Sequence, residues 1–414
     1  MRKRLGVGAL LLTCCSWSFA GCAGLLEPGA DRPQWRSRPS GALQLDYQRN
    51  LRAYNRSQGE PYELSEVEVD PAHLRLFVGS SDRGLYALRA QDGSTLWRFE
   101  TTGPVQSAPR YDASEDVVYF GSNDGALYKV RAATGQLLWR FATNAEVLKP
   151  VELAQGNVYF VNANDTILCL DAKTGERKWH HHRSPALGMA ISKHSGILLQ
   201  EGRVHVAYSD GVVMAYAADT GREVWDPVDL AAEAEVALGE VPKHLDVDTT
   251  PISALVDGAP AVIAASYAGG VYALDASTGN QLWANTGVAS TTDLTLWEQA
   301  EHRQLDGDRF PARRVLMAAT GTSGLWGLDP DTGEELWRKK LPEGGVNAPT
   351  FLSGAMLVST TKQGLFLMSP LDGAVIDGVQ SDTGFSAPAT GYGARAFVIS
   401  NAGRLIALSV SPPN

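Results

Sequence analysis

The stretch VYALDASTGNQLW, Val271 to Trp283, decides the fold. Its first five residues alternate in the period-2 manner of a half-buried strand. Ser-Thr-Gly then breaks the run, and Gly279 can take the positive φ that a tight hairpin turn demands. A second short strand carries Trp283, four residues beyond the glycine. The same figure recurs along the chain, with turn glycines at Gly93, Gly135, Gly175, Gly221, Gly279, Gly333 and Gly373. Trp97, Trp139, Trp179, Trp225, Trp283 and Trp337 stand four residues after the first six of these, and Asp377 holds that place in the seventh copy.

Upstream of each copy lies another short β run, such as VVYFGSNDG, NVYFVNAND or VHVAYSDG. Each unit is therefore three or four antiparallel strands. Successive tryptophans are 42, 40, 46, 58 and 54 residues apart. A base period near 40 residues matches one propeller blade, and helical solenoids of similar period would show a 3.6-residue pattern instead. An eighth copy, RAFVISNAGRLIALSV, supplies strands but no closing one. ALQLDYQRNL, residues 42–51, has strand character and can complete it. Closing the ring this way removes exposed sheet edges. The expected fold is all-β: an eight-bladed β-propeller of four-stranded antiparallel blades over residues 42–414, closed by the N-terminal strand. Two insertions interrupt the period. DLAAEAEVALGEVPKHL, residues 229–245, reads as a short helix in its Ala/Glu-rich part, and the segment around 292–319 reads as a long hairpin with LDGD as its turn.

The N-terminus reads differently. MRKR is a positive n-region, and LGVGALLLTCCSWSFA is an apolar run too short to span a bilayer comfortably. FAGC then resembles a bacterial lipobox, which implies a signal peptide over 1–21, lipidation of Cys22 and a Pro/Gly/Arg-rich flexible tether over 22–41. Phe19 departs from the leucine usual in that pattern. Of the four cysteines, Cys14 and Cys15 leave with the signal and Cys22 is acylated, so Cys169 remains alone, as a small buried hydrophobe on a strand. The formal net charge is −10, and cleavage removes three cations more. So acidic a surface disfavours nucleic acid and anionic head groups. Membrane attachment would come from the lipid.

The repeated tryptophans read as packing between adjacent blades, each indole N–H satisfied by backbone. Six-fold repetition argues against a ligand platform, which needs one special blade. ALDASTGNQLW and GLDPDTGEELW resemble the tryptophan-docking repeat of the PQQ-like propellers, a superfamily that includes quinoprotein alcohol dehydrogenases and the BamB lipoproteins of the outer-membrane β-barrel assembly machinery. The dehydrogenase resemblance implies pyrroloquinoline quinone, Ca²⁺, an aspartate base and commonly an adjacent-cysteine disulfide. Here the only adjacent pair is Cys14 and Cys15, inside the signal, and no convincing set of calcium ligands is visible. No GxSxG, HExxH or Walker loop occurs either. The expectation is a protein without cofactor, resident metal or catalytic residues.

HHH, His180 to His182, follows Trp179 at a strand end. His180 and His182 would share one face and could take Zn²⁺ or Ni²⁺, but a solvated turn is the preferred reading. DVDTTP, Asp246 to Pro251, closely resembles the docking run of the BamB family. In an extended segment its two aspartates point the same way, with Val247 opposite. The resemblance implies that Asp246 and Asp248 face basic residues of a periplasmic POTRA domain on the central barrel subunit. LGMAISKHSGILL matches the family's apolar docking positions at Met189 and Ile191, although Ser192 stands where the family has arginine. Together these imply a scaffold, monomeric within its complex, on the periplasmic side of the outer membrane. The alternative is a PQQ-like propeller lipoprotein with another extracytoplasmic partner.

Overall fold

In a computed structural model, the protein is described over residues 40–51, 62–185, 194–232, 247, 249–267, 269–303, 309–341 and 343–411. Eight four-stranded antiparallel sheets follow one another, as the sequence repeat leads one to expect. In blades 1 to 7 the strands add in chain order, A to D, from one edge of the sheet to the other. Blade 1 shows the plan: Glu68–Asp70, Arg75–Ser80, Gly84–Arg89 and Thr95–Glu100. Blade 8 takes three strands from the C-terminal end, Thr390–Tyr392, Arg395–Ser400 and Arg404–Val410, and its fourth from the N-terminal side, Leu43–Asn50. That strand runs antiparallel to its neighbour, from Leu43 opposite Val410 to Asn50 opposite Arg404.

The buried apolar side chains of the described residues form eight clusters, one at each blade-to-blade interface. Strands B and C are buried on both faces, so they read as near-continuous apolar runs. Strand D alternates and forms the outer edge. Between C and D an aspartate often organises the turn: Asp275 accepts the N–H groups of Ser277 (3.0 Å) and Thr278 (2.8 Å). One residue is bulged out in the C–D pair of six blades. The partner position falls beside the tryptophan each time, or beside Asp377 in blade 7.

Each tryptophan then packs on the turn glycine of the next blade. Gly135 has φ +72°, and a Cβ there would lie 2.7 Å from Trp97 Cε3. The same seat joins Trp139 to Gly175, Trp179 to Gly221, Trp225 to Gly279, Trp283 to Gly333 and Trp337 to Gly373. The two signature residues of the repeat are thus two halves of one contact. Trp97, Trp139, Trp179 and Trp283 donate to the carbonyls of Ala132, Ala172, Ala218 and Pro330, at 2.9–3.1 Å. The expectation of a backbone partner fails at Trp225 and Trp337, whose Nε1 atoms have none among the described residues. At Trp225 the equivalent carbonyl, Ala276 O, accepts Arg203 Nη1 at 2.9 Å instead.

The closing strand supplies its own substitutes. Tyr47 occupies the docking position of blade 8: its ring lies against Gly93 and its hydroxyl donates to Ala90 O (2.9 Å). Blade 8 has no C–D turn to receive an indole from blade 7, because that is where the chain enters. Asp377 stands there instead, 2% exposed. It accepts Leu43 N–H and Ser40 Oγ, both at 3.0 Å, and Gly378 N–H at 2.8 Å.

The 292–319 insertion is a long hairpin, Thr291–Gln299 against Arg313–Thr320, extended by His302–Arg303 against Arg309–Phe310. Its LDGD turn lies outside the described residues. In the other insertion, Leu230–Ala232 begin a helical turn capped by Asp229, which accepts the N–H groups of Ala231 and Ala232. The rest of that insertion is also outside the described residues, as are the signal segment and the tether up to residue 39, Cys22 included. Cys169 is fully buried and free, its thiol pushed up to about 11 by burial.

Candidate docking surface

Antiparallel order A-B-C-D places every D-to-A connection at the same end of its sheet as the B–C turns. The connections before blades 4 and 5 therefore emerge on one face of the ring. They carry the residues singled out for docking. Met189, Ile191, Asp246 and Asp248 themselves lie outside the described residues, but what flanks them is described.

Val247, between the two aspartates, is buried and packs in the interface of blades 4 and 5. Thr249 is buried and exchanges hydrogen bonds with the backbone of Ala265, Oγ1 to O at 3.0 Å and N to Oγ1 at 3.1 Å. Ser195 Oγ shares its proton between Gly196 O at 2.8 Å and Thr249 O at 3.0 Å, and Gly196 N–H donates to Thr250 Oγ1 at 3.1 Å. A Cβ on Gly196 would meet that hydroxyl at 2.4 Å, so the close approach needs glycine. The chain just after the Met189/Ile191 segment and the chain just after Asp248 are thus laced together, although more than fifty residues separate them.

The lacing continues into blade 3. Leu148 N–H donates to His194 Nε2 at 3.1 Å, so the proton sits on Nδ1, which donates to Ser195 O at 2.9 Å. Burial, with the Lys149 cation nearby, lowers this imidazole to about 4 and keeps it neutral. Arg183 reaches Asp210 with both Nε (3.0 Å) and Nη2 (2.6 Å), and Asp165 accepts the backbone and hydroxyl of Ser209. These ties fix the rim of blades 3 to 5 as a polar platform. Sequence reasoning noticed none of them. The only signal was the Ser195-Gly196 and Thr249-Thr250 pairs at the two strand entries.

His180 to His182 end a strand, Arg177–His182, instead of forming a turn, because they continue the pairing Leu168↔His180 and Thr166↔His182. His181 points inward: its Nε2 meets Gly221 O at 2.6 Å and its ring stacks on Tyr216. Asp70, His73 and Asp116 form a group of metal-capable atoms that the sequence did not reveal. The guanidinium of Arg75 occupies it, with Nε 2.7 Å from Asp70 Oδ2 and Nη2 against Asp116. At the hub, Glu66, Lys149, His194, Asp293 and Asn347 border a cavity of about 40 Å³.

The fold and this rim define a class: a tryptophan-docked propeller whose elaborated feature is a laced surface at the blade entries. The chain belongs to the family described as outer membrane protein assembly factor BamB, whose profile matches residues 86–295 and 286–411. An outer membrane protein assembly factor BamB of Legionella pneumophila (strain Paris) is 26% identical over 235 residues, 56% of this chain and 54% of that one; the match thus spans about half of that relative's length. Among solved structures, BamB from Moraxella catarrhalis superposes with TM-score 0.69 at 18% identity, covering 89% of this chain and 99% of that chain. A quinohemoprotein alcohol dehydrogenase from Comamonas testosteroni gives TM-score 0.66 at 13% identity, covering 90% and 77%. At such identities both structural likenesses speak for the fold alone.

The residues at the hub do not fit the quinone that the second neighbour's title names. Organic ligands of that size occupy pockets of about 300–1,000 Å³, usually with aromatic walls. The hub cavity is about 40 Å³, and among the described residues no Phe, Tyr or Trp borders it.

Proposed function

We propose that the protein is a non-catalytic scaffold of the outer-membrane β-barrel assembly machinery, held at the periplasmic face of the outer membrane by acyl chains on Cys22. On this reading, residues 1–21 are the signal, 22–41 the tether and 42–414 the propeller. Asp246 and Asp248, flanked by Met189 and Ile191, dock on basic side chains of a POTRA domain. The observation that carries the reading is the lacing of Ser195 and Gly196 to Thr249 and Thr250. It joins the chain that directly follows each of the two segments, which supports the reading. The burial of Val247 is what the docking reading requires, since an extended chain then turns its neighbours outward.

Carboxylates meeting cations in a partly dry contact are costly to truncate, by about 2–5 kcal/mol, whereas exposed ion pairs contribute about 0–1 kcal/mol. Asp246→Ala with Asp248→Ala should therefore weaken binding to the POTRA region of the same organism by roughly 30-fold or more, with unchanged melting. Met189→Ala with Ile191→Ala is the apolar counterpart. An aspartate double variant within about twofold of wild type removes the docking assignment.

A further inference from the structure

The histidines left over by the docking reading lie elsewhere, on the outer strand of blade 3. His180 and His182 are exposed, alternate with the inward His181, and border one groove beside the blade 2 strand Leu137–Ala142. The groove has a volume of about 380 Å³ and is walled by Thr143, Asn144, Asn162 and Thr166. We propose that His180 and His182 form a two-imidazole site for a divalent transition cation of the Zn²⁺, Cu²⁺ or Ni²⁺ class.

Strand geometry brings the pair together. Residues i and i+2 project from the same face, with Cα atoms about 6.6 Å apart. Imidazoles leaning toward one another from that spacing can converge on one ion at metal–nitrogen distances of about 2.0–2.1 Å.

The hydrogen bonds prepare His182 as a ligand. Thr166 Oγ1 lies 3.1 Å from His182 Nδ1, and the same hydroxyl donates to Asn164 O at 3.3 Å. A hydroxyl has one proton to give; when it goes to Asn164 O, the hydroxyl accepts from His182 Nδ1–H. In that tautomer the Nε2 lone pair is bare, and a cation on Nε2 would select it. A second-shell acceptor of this kind is what orients metal-binding histidines and raises their basicity. Neither nitrogen of His180 has a hydrogen-bond partner among the described residues, so that ring can turn to meet the same ion. Asn162 is committed elsewhere: its Nδ2 donates to Thr143 and Asn144, and its Oδ1 accepts from Asn164 and Thr166. The remaining coordination positions fall to water. Imidazole ligands select transition cations over Mg²⁺ and Ca²⁺, which prefer oxygen.

The test uses the full chain, purified without an affinity tag. Zn²⁺ is titrated in competition with a chromophoric chelator, and Cu²⁺ is bound for electron paramagnetic resonance. Wild type should take up one equivalent, with nitrogen hyperfine structure from two imidazoles. His180→Ala should show one imidazole. His180→Ala with His182→Ala should weaken binding by at least tenfold at unchanged melting. Thr166→Val should weaken it roughly 10-fold with both histidines present, the usual effect of losing a second-shell partner. Equal stoichiometry and affinity in wild type and the double variant would overturn the site. So would uptake of inorganic phosphate by the groove, abolished by Arg177→Ala, in a protein that takes up no Zn²⁺.

Discussion

Replacing Asp377 by alanine should loosen the ring at its seam. The carboxylate is buried where blade 7 meets the entering N-terminal strand, and it holds Leu43 N–H, Ser40 Oγ and Gly378 N–H. Burial alone would raise its pKa, but the hydrogen bonds from Leu43, Gly378 and Ser40 outweigh it and hold the group below its ordinary value. A net hydrogen bond to a charged group is worth about 1.5–3 kcal/mol, and a buried N–H left without an acceptor costs about 1–3 kcal/mol. Ser40 is exposed and counts for little. Leu43 and Gly378 then set a total of about 3–5 kcal/mol. With an unfolding entropy near 2.1 cal/mol/K per residue over the propeller, that lowers the melting temperature by roughly 4–6 °C. Asp377→Asn keeps an acceptor and should lose about half as much. Asp377→Trp, which restores the residue of the other six copies, should be the worst of the three, because blade 8 has no turn glycine to receive an indole. The assays are thermal unfolding and hydrogen exchange across Leu43–Asn50. An alanine variant melting within about 1 °C of wild type, with unchanged exchange in that strand, would refute the seam argument.

Trp→Phe should separate the two kinds of docked indole. At Trp97 or Trp139 it removes a hydrogen bond and costs about 1 kcal/mol more than at Trp225, where Nε1 has no partner among the described residues to lose; equal losses in denaturant titrations would contradict this. Acid should destabilise the propeller through His194 and His205, which burial lowers to about 4. Both stay neutral when folded and gain a proton when unfolded, so stability is full above about 6.5 and falls as pH drops from there toward 4, by about 3 kcal/mol per histidine. His205→Leu should flatten its half of that slope, and an unchanged slope would show that the ring is not held neutral. Cys22→Ser should release the protein into the soluble periplasmic fraction, and a variant still membrane-bound after a high-salt wash would end the lipid-anchor reading.

Strand, turn and blade number were legible in the sequence because they rest on short-range regularities. Alternation, the turn glycine and the tryptophan four residues later all lie within about fifteen residues, and their recurrence counts the blades. The incomplete eighth copy even announced where the ring would close. Position 377 was visible as the one departure from tryptophan, but its role was not. That role depends on Leu43, 334 residues away, arriving where no turn exists. Tyr47 standing in for an indole, Arg203 rather than Trp225 meeting Ala276 O, and Arg75 filling the Asp70/Asp116 group belong to the same class. So does the lacing of Ser195 to Thr249 beneath the candidate docking segments. Each is a partnership between blades or across the seam. A repeat makes every blade look alike in sequence, so the particular donor that meets a particular acceptor is decided only when adjacent blades are packed face to face.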